Sequence, residues 1–302
     1  MTRPNLTPED IERIVPEASN IQFLDQGGQK VVFTGIIDEQ KYALKSMSPN
    51  PSRDISASAE HLDDVTARAQ REVETMEQCT TPYLVRMGPI GLRTAQVNNE
   101  PIIYFSEEFI EGKNLKRYHQ ENGNLSIQEL IHLAFQISEA INTIWQFSKI
   151  HRDIKPSNIM RRDSNGDFVL LDMGLVFDLQ DESYSVSPVG TPMYFSPEQM
   201  DFNNRRTVMN FRSDLFSLGI VLYEMTTGQH PFVTPTSTTT WEVLGNIASM
   251  NPVPPIINRP ELPEELNSII MRLVAKRPAL RYRSIDLFQR ALNEVDPEGG
   301  NV

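Results

Sequence analysis

Residues 151–160 read His-Arg-Asp-Ile-Lys-Pro-Ser-Asn-Ile-Met, and the rest of the chain is best understood from this stretch outwards. An Asn165-Gly166 pair between two short apolar runs predicts a hairpin directly after it. Four further motifs stand in order along the chain: a glycine-containing turn near residue 27, Ala43-Leu44-Lys45, Asp172-Met173-Gly174 and Ser196-Pro197-Glu198. A His-Arg-Asp tripeptide such as residues 151–153 arises by chance on many surface loops. The whole ordered series of five motifs does not.

This series resembles the eukaryotic-type (Hanks-type) Ser/Thr protein kinases over roughly residues 20–293. The resemblance implies an α+β, two-lobed protein-kinase-like fold, in which a small antiparallel-sheet N-lobe with one helix precedes a mainly helical C-lobe. We expect four segments along the chain: an N-terminal extension with a short helix (1–19), the N-lobe (20–110), the C-lobe (111–296) and a tail (297–302). No second folded domain is expected.

Composition narrows the function classes. The chain has 302 residues and 39% hydrophobic content, which is enough for a substantial core. Its 28 basic and 40 acidic residues give a net charge of −12, which argues against nucleic acid as a partner. Cys79 is the only cysteine, so we expect a small buried hydrophobe in a reducing compartment. Without an apolar leader or a long apolar run, we expect a cytoplasmic protein with no membrane partner.

The first 110 residues predict a sheet with two helices. Thr7 as N-cap and Pro8 at the first helical position predict a short helix. Runs rich in β-branched and aromatic residues predict strands over residues 21–24, 31–37, 41–45, 84–92 and 102–109. A helix is predicted over residues 58–78, with one apolar stripe formed by Val65, Ala69, Val73 and Met76.

The turn at residues 24–32 lies where the family carries its glycine-rich loop. Only the central glycine, Gly27, matches the family pattern, since Asp25 stands at the first glycine position and Lys30 at the third. We expect Gly27 and Gly28 to bring backbone N–H groups close to phosphate. For Lys30 a solvated, outward-pointing side chain is the expected arrangement, and added positive charge near the phosphates is the alternative.

The resemblance assigns the nucleotide contacts. Lys45 would bind the α- and β-phosphates and pair with Glu72 of the following helix, while Glu74 points away from that helix face. Adenine would lie between Val32, Ala43 and Met160. A hinge over residues 105–112 would add contacts from Glu108 and Ile110.

Glu107 falls at the gatekeeper position behind the adenine, where the family usually has an apolar residue or threonine. A carboxylate there is unusual, and a one-residue slip in the alignment is the competing explanation.

The resemblance also assigns the chemistry. Asp153 would orient and deprotonate the acceptor hydroxyl, and Lys155 would stabilise the γ-phosphate. Asn158 and Asp172 would hold Mg²⁺, with Mn²⁺ as an alternative. Lys155 also favours Ser/Thr over Tyr acceptors by resemblance.

Three features of the second half have expected structural roles. A capping box at Ser126 opens an amphipathic core helix. Asp214 begins a strongly apolar helix that is capped by Gly228, and the resemblance gives this aspartate the task of holding the backbone of the catalytic loop. Glu198 is expected to pair with Arg281, and two more helices are predicted over residues 264–275 and 284–295.

Residues 172–198 have the composition of an activation segment. Family members with an arginine beside the catalytic aspartate often use it to hold a phosphorylated segment, so Arg152 predicts self-phosphorylation on Ser183 or Ser185, with Ser187 ranking behind them. The acidic pair at residues 181–182 is the alternative partner of Arg152. Thr191 stands where the family places a hydroxyl that contacts the catalytic Asp and Lys.

The expected function is ATP-dependent transfer of the γ-phosphoryl group to Ser or Thr hydroxyls of protein substrates. One alternative is a pseudokinase or scaffold that keeps the fold without the chemistry, which the imperfect glycine turn and Glu107 favour slightly. A small-molecule phosphotransferase of related fold is the other, although such enzymes lack the Ser-Pro-Glu segment and its Arg partner. The sequence does not specify the substrate or the oligomeric state.

Overall fold

The computed structural model describes residues 4–27, 30–49, 59–179, 191–201 and 209–295. The chain divides into two compact units. The first comprises Met1–Thr80, Val85–Ile110 and Asp172–Gly174, and the second comprises Thr81–Leu84, Glu111–Leu171 and Leu175–Val302. No helix in the described ranges has both the length and the apolar character needed to span a bilayer.

The first unit is a five-stranded antiparallel sheet with two helices. Its helices are α1 (Pro8–Ile14) and α2 (Ala59–Gln78), and its strands are β1 (Ser19–Gly27), β2 (Lys30–Ile37), β3 (Gln40–Met47), β4 (Arg93–Val97) and β5 (Glu100–Glu108). The strand order is β1-β2-β3-β5-β4. Two tight turns with positive φ angles join β2 to β3 and β4 to β5, through residues 38–39 and 98–99, which matches the right-handed twist of the hairpins.

The two faces of this sheet have different roles. Val31, Phe33 and Leu44 pack with Ile11 and Val15 on one side to form an apolar cluster that seats α1. Because side chains alternate along a strand, the intervening residues of β2 and β3 belong to the opposite face. That second face carries the charged residues described below.

The prediction of a strand over residues 84–92 is wrong. That segment runs beside β5 and bonds to it, with the Gly88 amide donating to Ser106 and the Ser106 amide donating to Ile90. However, Pro89 has no N–H to donate, so the ladder is broken and β4 begins only at Arg93. The other strands and α2 lie within a few residues of their predicted positions, and Glu74 is exposed as expected.

The second unit is mainly helical. Its helices are α3 (Leu115–Asn122), α4 (Ile127–Trp145), α5 (Pro197–Met200), α6 (Phe211–Thr227), α7 (Thr240–Ser249), α8 (Pro255–Asn258), α9 (Glu264–Leu273) and α10 (Ile285–Val295). Short strands β6 (Gly112–Asn114), β8 (Ile159–Arg162) and β9 (Phe168–Leu170) form one small sheet, and β7 (Lys149–Ile150) pairs with β10 (Phe177–Asp178). The predictions for α4 and α6 are confirmed, including the capping box at Ser126 and the left-handed cap at Gly228; α3, α5, α7 and α8 were not predicted.

A second apolar cluster holds α6, α7 and the chain after α6 together. Phe216 and Ile220 pack with Phe232, Val243 and Ile247. At its edge the His230 Nδ1 accepts the Phe232 N–H at 3.2 Å, so its Nε2 carries the hydrogen that Met193 O accepts at 3.0 Å. Burial lowers the pKa of His230 to about 4, because the imidazolium would lose its solvent, and the bond to Met193 O only partly opposes this.

Candidate active site

Asp153 lies in a buried cage of hydrogen-bond donors in the second unit. Its Oδ2 accepts bonds from Lys155 Nζ at 2.7 Å and from Asn158 Nδ2 at 2.9 Å. Its Oδ1 accepts the Thr191 N–H at 3.0 Å. The carboxylate therefore has a fixed orientation, which is a geometric condition for any general base.

Thr191 differs in detail from the expected arrangement. Its hydroxyl accepts a bond from Lys155 Nζ at 2.6 Å, whereas the contact to Asp153 comes from its backbone N–H. The segment after residue 190 is thus tied to both catalytic candidates of the second unit.

The backbone under this loop is held by a buried carboxylate. Asp214 accepts the amides of His151 at 2.8 Å and Arg152 at 2.9 Å, the structural role expected for it. Arg152 has a positive φ of 70°, which costs a non-glycine residue about 1 kcal/mol and is sustained by these bonds. His151, which sequence reasoning did not single out, is fully buried and bonds through Nε2 to Leu171 O at 3.1 Å.

Arg152 has partners of its own. Its Nε donates to Leu175 O at 2.7 Å, and its guanidinium lies 4.7 Å from the centre of the Phe177 ring. Phe177 therefore packs against the Arg152 guanidinium. The predicted phosphorylation sites Ser183, Ser185 and Ser187 lie outside the described residues, as does Gly28.

In the first unit, five charged side chains form one network, which we call the lysine–carboxylate cluster: Lys30, Lys45, Glu72, Glu107 and Asp172. Lys45 Nζ lies 2.9 Å from Glu72 Oε1 and 2.7 Å from Glu107 Oε2. Lys30 Nζ lies 2.7 Å from both Glu72 Oε2 and Asp172 Oδ1. The expectation that Lys30 is solvated and points outward is wrong, because its position on β2 turns it toward two buried or half-buried carboxylates.

Burial and charge act in opposite directions on this cluster. Burial would lower the pKa of Lys45, but Glu107, Glu72 and Asp172 together raise it above its ordinary value. The pKa of Lys30 is raised in the same way by Asp172 and Glu72, against its burial. Burial raises the pKa of Glu107, and the nearby Lys45 only partly opposes this. Both lysines therefore remain ammonium ions at neutral pH.

Gly174 packs closely against the same cluster. A Cβ at this position would lie 2.9 Å from Glu72 Oε2, 3.0 Å from Lys30 Nζ and 3.1 Å from Asp172 Oδ1. Its amide donates to Asp172 Oδ1 at 3.3 Å, and Asp172 itself has a φ of 62°.

The remaining predicted nucleotide contacts lie on several elements. Val32 pairs with Lys45 across β2 and β3, and Ala43 pairs with Glu107 across β3 and β5, so all four share the second sheet face. Gly27 ends β1 opposite Lys30. In the first unit Glu108 ends β5 and Ile110 is buried, while in the second unit Met160 lies in β8.

The expected pair of Glu198 and Arg281 is present and fully buried. Arg281 Nη1 lies 2.6 Å from Glu198 Oε1, and its Nη2 lies 3.0 Å from Oε2. This two-pronged contact joins α5 to the segment between α9 and α10.

The family model for the protein kinase domain matches residues 19–292. The chain belongs to the protein kinase family. Among its curated relatives, the serine/threonine-protein kinase PknB of Mycolicibacterium smegmatis is 31% identical over 72% of this chain and 34% of its own length. PknB of Mycobacterium leprae is 30% identical over 72% and 34%.

A third relative, from Lactococcus lactis and named as a probable serine/threonine-protein kinase PknB, is 28% identical over 88% of this chain and 40% of its own length. The chain thus spans about a third of the length of these relatives. The names support a Hanks-type Ser/Thr kinase family, as the motifs predicted, and the sheet-and-helix organisation agrees with that fold.

Proposed function

We propose that this chain is an ATP-dependent Ser/Thr protein kinase that transfers the γ-phosphoryl group to hydroxyls of protein substrates. The observation that supports it most directly is the cage around Asp153, in which Lys155, Asn158 and Thr191 orient one carboxylate. A scaffold protein would have no need for this arrangement. The relatives' names favour Ser/Thr acceptors.

Each unit supplies its own part of the reaction. In the second unit Asp153 accepts the proton of the attacking hydroxyl, while Lys155 binds the transferring phosphoryl oxygens. In the first unit the ammonium of Lys45, oriented by Glu72, binds phosphate oxygens of the nucleotide. Val32 and Ala43 provide the apolar surface for adenine.

The residues assigned to a metal ion fit Mg²⁺ by donor chemistry. The Asn158 amide nitrogen donates to Asp153, which leaves its Oδ1 as the ligand atom, and Asp172 offers a carboxylate. Both are hard oxygen donors of the kind that Mg²⁺ takes. Bound there, the ion would neutralise charge on the phosphates; Mn²⁺ has the same preference for oxygen ligands.

The test is transfer of labelled phosphate from ATP with Mg²⁺ to a generic basic protein, compared with a small-molecule acceptor. The matched control is Asp153→Asn, which keeps the size of the side chain and removes the base. We expect transfer to the protein by the wild type and a loss of about 10²–10⁴-fold in the variant. Nucleotide binding without any transfer would instead support the pseudokinase alternative.

A further inference from the structure

The two lysines of the lysine–carboxylate cluster are arranged alike. Each ammonium bridges two carboxylates, and the two share Glu72, one on each of its oxygens. They differ in accessibility, because the side chain of Lys45 is 8% exposed and that of Lys30 is 21% exposed. Lys45 is therefore enclosed between Glu72 and Glu107, whereas Lys30 remains partly open to a ligand.

Strand register places Lys30 on the face expected to bind the nucleotide. Lys30 and Val32 are two residues apart on β2 and so point to the same side of the sheet. Val32 pairs with Lys45, and Lys30 itself stands opposite Gly27 at the glycine turn. An ammonium at this position lies between the turn and Lys45, on the side where phosphates are expected.

The charge balance of the cluster depends on Lys30. Lys45, Glu72 and Asp172 alone carry one positive and two negative charges, a net of −1. Glu107 adds a buried negative charge and Lys30 adds a positive one, which restores −1. Without Lys30, the same site would present a net of −2 to an anionic nucleotide.

We propose that Lys30 is a second phosphate-binding residue of the nucleotide site. It shares the phosphates with Lys45, whose own contact with them is weakened by its ion pair with Glu107. This inference rests on the proposed function, since it assumes that the cluster binds ATP. A divalent cation that takes Asp172 repels the neighbouring ammonium and removes one of its two partners. The ammonium of Lys30 keeps its contact with Glu72, and the phosphate oxygens take the place that Asp172 has left.

The test is a cycle of four proteins: wild type, Lys30→Met, Glu107→Gln and the double variant. Calorimetry measures their affinities for ATP, ADP and adenosine in the presence of Mg²⁺. The double variant loses one charge of each sign, so the cluster keeps its net charge of −1. Its affinities can therefore be compared with those of Glu107→Gln even if Lys30→Met alone does not fold. Lys116→Met, at an exposed position on α3, is the control for loss of a surface lysine.

We expect Lys30→Met to weaken ATP and ADP binding by about tenfold to a hundredfold while adenosine binding stays unchanged, because a charge-assisted bond to phosphate is lost. In the Glu107→Gln background the same substitution should weaken ATP binding by no more than about threefold. Lys45 no longer pairs with a Glu107 carboxylate there and can bind the phosphates more strongly. Lys30→Arg should retain most of the affinity.

Three results would overturn the proposal. They are equal ATP affinity in Lys30→Met and wild type, an equal penalty in both Glu107 backgrounds, and tighter Mg²⁺–ATP binding in Lys30→Met. The last would mean that Lys30 competes with the metal for Asp172. If wild type binds ATP but transfers nothing, the proposed function fails while this cycle still decides the role of Lys30.

Discussion

Replacing Arg281 by methionine should destabilise the second unit severely, and the structure gives the reason. Arg281 is 0% exposed, and its guanidinium donates to both oxygens of Glu198. Its other bonds reach three backbone carbonyls, at distances of 2.8 Å, 2.8 Å and 3.2 Å: Ala275, Arg212 and Lys276. Methionine fills much of the volume but supplies none of these donors.

The magnitude follows from what the substitution leaves behind. Glu198 would keep the bond from the Ser213 hydroxyl at 2.8 Å, but this buried carboxylate would lose its counter-ion. Removing one partner of a buried ion pair lowers the free energy of unfolding by about 3–5 kcal/mol. Each buried carbonyl that loses its donor adds about 1 kcal/mol to this loss. We therefore expect at least about 4 kcal/mol, a large part of a typical total stability of about 5–15 kcal/mol.

Urea unfolding followed by tryptophan fluorescence measures this loss, because Trp145 packs on Phe211 in the same unit at 5.4 Å between ring centres. The control is Arg117→Met, which breaks an Arg–Glu pair of the same chemistry on α3. Arg117 is 68% exposed, so its pair with Glu121 should contribute at most about 0.5 kcal/mol.

A double variant separates charge from packing. Arg281→Met with Glu198→Leu removes both buried charges and should recover much of the loss, because the uncompensated carboxylate is gone. If Arg281→Met costs less than about 1 kcal/mol, or if the double variant is no more stable than Arg281→Met, the reasoning from an unpaired buried charge is refuted.

Four further predictions follow from particular residues. Asp153→Asn should abolish transfer yet leave the ATP dissociation constant near the wild-type value, and retention of a tenth of turnover would exclude Asp153 as the base. Bulky apolar ATP-competitive inhibitors should bind poorly until Glu107→Thr is introduced; equal affinity in both forms would count against the gatekeeper alignment. Because the pKa of His230 falls from 6.5 to about 4 on folding, the unfolded state binds the extra proton, so stability should drop as pH falls through that window, by about 2 kcal/mol at pH 5; a His230→Gln variant with an equally steep pH profile would contradict this. Incubation with ATP should add phosphate, which we expect on Ser183 or Ser185 and which intact mass detects, and activity should depend on it; full activity after phosphatase treatment would refute that dependence.

Sequence reasoning located most of the fold because its signals are local. Caps at Thr7 and Ser126, the glycine at residue 228 and the turn at residues 165–166 each act within a few residues, and each appears where it was predicted. The prediction of a strand over residues 84–92 is wrong for a local reason too. The apolar run favours a strand, but Pro89 has no N–H for the ladder.

Lys30 and Glu107 show where such reasoning ends. Whether a lysine at the end of a strand points to water or to a carboxylate depends on which face it occupies and on what the neighbouring strands and α2 bring there. The sequence contains part of the signal for the orientation of Lys30. Lys30 and Val32 are two residues apart and so lie on the same face of the strand, and Val32 pairs with Lys45. The contact between Lys45 and Glu107, however, depends on the pairing of β3 with β5, which are far apart in sequence.

Two of the buried ionic groups among the described residues differ in their charge balance. Arg281 and Glu198 balance to zero, and the guanidinium uses all its nitrogens on protein acceptors, so this pair has no capacity left for a ligand. The lysine–carboxylate cluster has three carboxylates for two ammonium ions, and an excess negative charge held in a half-buried site favours binding of a cation. If the cluster binds ATP as we propose, a divalent ion would change its net charge from −1 to +1, so that the site would attract the nucleotide instead of repelling it. Under the proposed function, the unbalanced charge therefore lies where a cation and a nucleotide bind, whereas the balanced pair lies in the core.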